Sequence, residues 1–145
     1  MVGDGPERQK CEELCRELGI CDRVKYLGKQ EAIEELFAIS DLMILPSESE
    51  SFGLAALEAM ACHVPVISSN TGGLPELMQD EYNGYMSDVG DIQSMAVNAI
   101  KILKTDDTLE QFKNNAIETA KNFDLQFILP KYENYYSEII RNANG

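Results

Sequence analysis

Two glutamates, Glu50 and Glu58, stand on either side of the seven residues SFGLAAL. A helix starting between them would present unsatisfied backbone N–H groups and a partial positive charge, a setting that suits phosphate. With Ser51 as cap and Phe52, Gly53 and Leu54 in the first turn, several donors converge, and Gly53 lets a ligand approach the backbone closely. Glu58 then lies roughly 10 Å along the helix, at about 1.5 Å per residue, with Glu50 just outside its start. Neither carboxylate can touch a phosphate without repulsion, so each suits hydroxyl donors instead. A diphosphate flanked by hydroxyls on both sides is a nucleotide sugar, with one glutamate on the ribose and the other on the transferred sugar. A plainer reading stands beside it. Glu50 then simply favours a helix start, Glu58 lies on a solvated face, and spacing alone favours this version.

The surrounding pattern says what must hold such a turn in place. Apolar runs alternate with amphipathic stretches. GPERQKCEELCRELG reads as a helix with Pro6 at its first position, Gly19 at its C-terminal cap and a buried stripe of Cys11, Leu14, Cys15 and Leu18. RVKYLG reads as a strand, KQEAIEELFAIS as a helix, DLMILP as a buried strand, SFGLAALEAMAC as a helix and VPVISS as another buried strand. GYMSDV follows the Asn83-Gly84 turn signal as a short strand. Continuous apolar strands separated by helices indicate a doubly wound α/β domain with a parallel sheet. Ligands in such sheets bind at the carboxyl ends of the strands, where the loops 46–52 and 69–76 fall.

From Asp91 onward the pattern is helical throughout. Ile92, Met95, Ala96, Ala99, Ile102 and Leu103 line one side of a first helix. The segment TLEQFKNNAIETAKNF forms a second, and DLQFILPKYENYYSEIIRN carries an apolar stripe of Tyr132, Tyr135, Tyr136, Ile139 and Ile140. Pro130 is expected to kink that last helix or to end a first short one.

The 145 residues suffice for one domain, 1–145, and the net charge of −13 disfavours nucleic acid or an anionic membrane surface as partner. No apolar run is long enough to cross a membrane and no secretory signal is present, so a cytoplasmic location is expected, with Cys11, Cys15, Cys21 and Cys62 as reduced thiols. The opening MV reads as the tail of a strand, which suggests a chain that continues upstream of Met1.

The run PSESESFGLAALEAMACHVPVISSNTGGLPEL resembles the E-x7-E signature of retaining glycosyltransferases of family 4, which have the GT-B fold. VGDGPER, RVKYLGK, AISDLMILPS and NGYMSDVGD agree, so the resemblance spans essentially the whole chain. VGDGPERQKCEELCRELGI and LGKQEAIEELFAISDLMILPSE are most similar to the branch that transfers N-acetylglucosamine from UDP to L-malate. The resemblance implies a Rossmann-like C-terminal donor lobe whose helical tail follows the sheet. It implies that Glu58 binds the ribose hydroxyls, Glu50 contacts the donor sugar as the catalytic glutamate, and the backbone of Ser51, Phe52, Gly53 and Leu54 meets the diphosphate. The Leu27 backbone would hydrogen-bond the nucleobase. TGGLPE either shapes the cleft floor or is a loop with Pro75 at a helix start, and the GDGP turn is similarly open.

In this family the leaving phosphate assists deprotonation of the acceptor hydroxyl, so no side-chain nucleophile is needed. No DxD-like metal site is present, and neither a metal nor another cofactor is expected beyond the UDP-sugar donor. The acceptor lobe and the Arg and Lys that neutralise the diphosphate lie upstream in family members. The chain by itself is therefore expected to fold, bind UDP weakly and not catalyse. Rival readings are a transferase with another sugar or acceptor, a sugar-nucleotide epimerase and a non-catalytic nucleotide-binding module; the intact glutamate pair argues against the last two. His63 stands where the family usually has glycine and is placed at a helix C-terminus. A zinc set of Cys11, Cys15, Cys21 and His63 matches no common spacing. The exposed tyrosine stripe is a candidate self-association surface.

Overall fold

A computed structural model describes residues 1–143, and they fall into two compact units that meet in sequence between Ile33 and Glu34. In the first unit, α1 (Arg8–Glu17) ends in a Schellman motif: Gly19 adopts φ +65°, its N–H donates to the Arg16 carbonyl, and the Ile20 N–H reaches the Cys15 carbonyl at 3.1 Å. Pro6 lies in the turn before the helix and does not begin it. The expected stripe is only partly buried. Cys15 is buried and Cys11 half-buried, whereas Leu14 and Leu18 are 53% and 61% exposed, since a unit this short buries little.

A single 3-10 turn covers Cys21–Arg23, and the expected strand over RVKYLG is not regular. Its backbone bonds instead to the first residues of the chain. The Leu27 N–H donates to the Met1 carbonyl at 2.9 Å, and the Gly3 N–H donates to the Gly28 carbonyl at 2.8 Å. With the Met1 amino group donating to the Lys25 carbonyl, three such bonds hold an extended segment without completing a ladder.

The helix α2 (Ile33–Phe37) is shorter than its sequence pattern. The larger unit is built on a parallel sheet in the order β1 (Met43–Leu45), β2 (Val66–Ser69), β3 (Gly84–Ser87). Met43 pairs with Val66, and Ser69 with Ser87. All four β2 positions are buried, as a central strand covered on both faces requires. β1 is an edge strand with Ile44 52% exposed, so the expectation of a fully buried DLMILP is corrected. Among the described residues it has a neighbouring strand on one side only.

α3 (Leu54–Ala61) connects β1 to β2, and the short α4 (Leu74–Leu77), with Pro75 at its start, precedes β3. α5 (Ile92–Leu103) and α6 (Asp106–Lys121) complete the core. Ile67 of β2 packs among Met95, Ala99 and Ile102 of α5 and Phe112 of α6, and Tyr85 stacks on Phe112 at 5.7 Å. The buried face of α5 is narrower than the sequence stripe. Met95, Ala99 and Ile102 lie inside, and Ile92, Ala96 and Leu103 face solvent.

α7 (Leu125–Ala143) runs through Pro130 as one helix. The proline removes a hydrogen bond to the Gln126 carbonyl, and because nearly every residue of α7 is exposed, water can take that carbonyl instead. Tyr132, Tyr135, Tyr136, Ile139 and Ile140 are all exposed.

Candidate nucleotide-sugar site

α3 begins two residues later than the sequence suggests. Its N-cap is Gly53, in a left-handed conformation with φ +94°, and the first helical bond runs from the Leu57 N–H to the Gly53 carbonyl at 3.0 Å. Ser51 is therefore not the cap, and Ser51 and Phe52 lie in a bend outside the helix. Only glycine takes this φ without cost, so the turn forms at Gly53 whatever the capping preference of Ser51. The N–H groups left without helical partners belong to Gly53, Leu54, Ala55 and Ala56; Gly53 and Ala56 are buried, so Leu54 and Ala55 are the two that face outward.

This shift brings Glu58 closer to the helix start than first expected. Ala56, Ala59 and Met60 are buried, whereas Leu54, Glu58 and Ala61 form the exposed face. Glu58 thus stands one turn, about 6 Å, beyond Leu54 on the same face. Glu50 is half-buried, and its Oε1 accepts the Ser51 N–H at 3.0 Å, leaving Oε2 for another donor. Two carboxylates and a set of free amides therefore belong to one turn and one helix face. Phe52 is anchored from the side, its ring meeting Phe123 edge-on at 5.9 Å.

The loop after β2 packs directly on this turn. A Cβ at Gly72 would overlap the Glu50 carbonyl, and one at Gly73 would come within 2.5 Å of the Ser51 carbonyl oxygen and 2.8 Å of the Phe52 Cα. A Cβ at Gly53 would meet Leu74 Cδ2 at 2.7 Å. The two glycines could be seen in the sequence, but not the backbone that they adjoin. An apolar groove of about 540 Å³ also escaped the sequence reading; Phe52, Leu54 and Leu57 line it opposite Phe123, Ile128 and Tyr132. Its parts are distant in sequence, and only the position of α7 joins them.

Leu27, in the Met1–Ile33 unit, has both backbone polar groups engaged. Its N–H goes to Met1, and its carbonyl accepts Gln30 Nε2 at 2.6 Å, which leaves that oxygen one lone pair. His63 follows α3 with φ +62°; its N–H donates to the Met60 carbonyl at 3.1 Å, and the Val64 N–H reaches the Ala59 carbonyl at 3.0 Å. These bonds make it the C′ residue of a second Schellman motif. Among the described residues no group of three His, Cys, Asp or Glu side chains is placed to hold a metal ion. No helix among them is long and apolar enough to cross a membrane.

Residues 1–119 match the family model described as glycosyl transferases group 1. The chain belongs to that family. Among curated relatives, this group 1 glycosyltransferase chain is 44% identical over its whole length to the N-acetyl-alpha-D-glucosaminyl L-malate synthase of Bacillus anthracis, covering 39% of that protein. It is 35% identical to the D-inositol 3-phosphate glycosyltransferase of Corynebacterium diphtheriae, over 87% of this chain and 30% of that one. The structure of Anabaena HepE in complex with UDP superposes with a TM-score of 0.84 at 30% identity, over 94% of this chain and 40% of HepE. HepE has also been solved with UDP and glucose and with UDP-glucose. The glycosyltransferase chain thus spans about two fifths of the length of the first of these relatives and of HepE. Its parallel sheet with flanking helices is the arrangement of GT-B glycosyltransferases.

Proposed function

We propose that this chain forms the donor-binding part of a retaining glycosyltransferase that takes its sugar from a UDP-sugar. The observation that carries the reading is the placement of Leu54 and Glu58 on one exposed face of α3, directly after the turn that holds Glu50. The diphosphate meets the accessible N–H groups of Leu54 and Ala55, where the helix dipole favours negative charge. Glu58 accepts hydrogen bonds from the ribose hydroxyls, and the free oxygen of Glu50 accepts from the sugar. The HepE complexes with UDP and UDP-glucose support the choice of ligand class.

In the reaction, the acceptor hydroxyl oxygen bonds to the anomeric carbon on the face from which UDP departs. The bond from that carbon to the β-phosphate oxygen breaks, and the departing phosphate takes the hydroxyl proton. Negative charge grows on UDP as this happens, and the helix-start amides stabilise it without having to reorient. Glu50 orients the sugar and forms no covalent bond, and the step asks nothing of a metal. The name of the Bacillus anthracis relative supports N-acetylglucosamine as the sugar and L-malate as the acceptor.

An NMR titration of the chain with UDP tests the site. The amides of Leu54 and Ala55 are expected to shift, and Glu58→Gln is expected to weaken UDP about tenfold or more, the worth of hydrogen bonds to a charged acceptor. Unmoved amides at the start of α3 would overturn the reading.

A further inference from the structure

Thr71, Gly72, Gly73 and Leu74 lie alongside the glutamate-bearing turn and run in the same direction. Gly72 abuts the Glu50 carbonyl, Gly73 abuts Ser51 and Phe52, and the fully buried Leu74 lies under Gly53. Upstream of these contacts, the Thr71 hydroxyl donates to the Glu48 carbonyl at 3.3 Å. The loop holds its own shape through the Thr71 N–H to the Ser69 carbonyl at 3.0 Å and the Leu74 N–H to the Thr71 carbonyl at 3.2 Å.

The two glycines serve different needs. Gly72 has φ +57°, a conformation that side chains rarely adopt. Gly73 has φ −84° and ψ −4°, which any residue adopts. Nothing in its own backbone requires glycine. What excludes a side chain is the opposing backbone, 2.5 Å from where a Cβ would stand. The contact between the two segments is thus steric from Glu50 to Gly53, with the threonine hydroxyl as a tie at its upstream end.

We propose that Thr71–Leu74 is a mould that positions Glu50 and the start of α3 for the sugar nucleotide. The proposal rests on the nucleotide-sugar reading above. If the mould is displaced, the carbonyl of Glu50 and the backbone of Ser51 move first. The carboxylate on the sugar is then disturbed more than the amides of α3, which are also held by the helix. Losing a hydrogen bond from the sugar to a charged carboxylate costs about tenfold or more in affinity.

The test uses two probes, UDP and UDP-N-acetylglucosamine, titrated into the chain and into Gly73→Ala, Thr71→Val, Thr71→Ser and Glu58→Gln. With melting curves as cooperative as wild type, G73A and T71V are expected to weaken UDP-N-acetylglucosamine about tenfold or more, the worth of the hydrogen bond to Glu50. UDP alone should weaken much less, and T71S should restore the wild-type pattern. A role confined to stability would lower the melting temperature and leave both affinities alone, which would overturn the mould. If G73A does not fold, the T71V and T71S pair decides the matter by the same split. Loss of UDP in E58Q beside an unchanged G73A sinks the mould but keeps the nucleotide-sugar reading. A wild-type chain that takes up neither probe sinks both.

Discussion

At the residue scale, His63 shows how one backbone angle explains an unexpected side chain. The sequence marks it as a departure from glycine at the end of a helix, and the structure supplies the reason glycine is usual there: φ +62° in a Schellman motif. An L-residue in that conformation is strained, while glycine loses more freedom on folding. The first effect is the larger, so His63→Gly should raise stability by roughly 0.5–1 kcal/mol in urea unfolding; an unchanged or lowered midpoint would contradict this. Ser51 teaches the opposite lesson. Serine is a strong N-cap, yet Gly53 takes that place and the Ser51 N–H goes to Glu50. The spacing of Glu50 and Glu58 was readable from local residues. The shape of the turn between them was not, because residues 72–74, some twenty positions downstream, impose it.

At the scale of elements, α5 and α6 were legible because apolar positions at helical spacing leave little ambiguity. The width of the buried face was not, since it depends on where Phe112 and Ile67 close over α5. Likewise Asn83-Gly84 reads as a turn, but its residues do more than turn the chain. Asn83 is fully buried, accepting the Gln79 N–H at 2.8 Å and donating to the Leu77 carbonyl and to Thr119. A Cβ at Gly84 would overlap the Val66 carbonyl, so only glycine lets β3 come this close to β2.

The cap of α5 has a pH consequence. Asp91 accepts the Ser94 N–H at 3.0 Å, and hydrogen bonds from Ser94 hold its carboxyl below the usual range. A depressed folded value stabilises above the ordinary aspartate pKa of about 3.9, and that contribution is lost as pH falls through the folded value. The stability gap between wild type and Asp91→Ala should therefore be full at neutral pH and narrow in acid. Asp91→Asn, which caps without titrating, should lack this added acid sensitivity. Urea midpoints between about pH 3 and pH 7 read the difference; parallel curves for wild type and D91N would refute it.

For the molecule as a whole, the fold class followed from the alternation of apolar runs and helices. The family followed from a local signature that needs no tertiary knowledge. Charge adds a constraint that neither carries. A chain of net −13 repels a nucleoside diphosphate at long range, even though one helix start attracts it nearby. Raising ionic strength from about 0.01 M to 0.15 M shortens the screening length from about 30 Å to about 8 Å. The on-rate of UDP should therefore rise with salt, the reverse of a steered encounter. Stopped-flow or relaxation measurements that show a falling rate would mean that local attraction governs approach.

The seating of Asn83 also bears on how the protein ages. An asparagine followed by glycine is chemically labile, because the glycine nitrogen can attack the side-chain amide and convert it to aspartate or isoaspartate. Here that amide is fastened at three points and the glycine is built into a strand, so the attack is blocked while the core stays shut. Deamidation at this position then becomes a clock for global opening, and a stored sample's isoaspartate content would record how much time its molecules had spent unfolded.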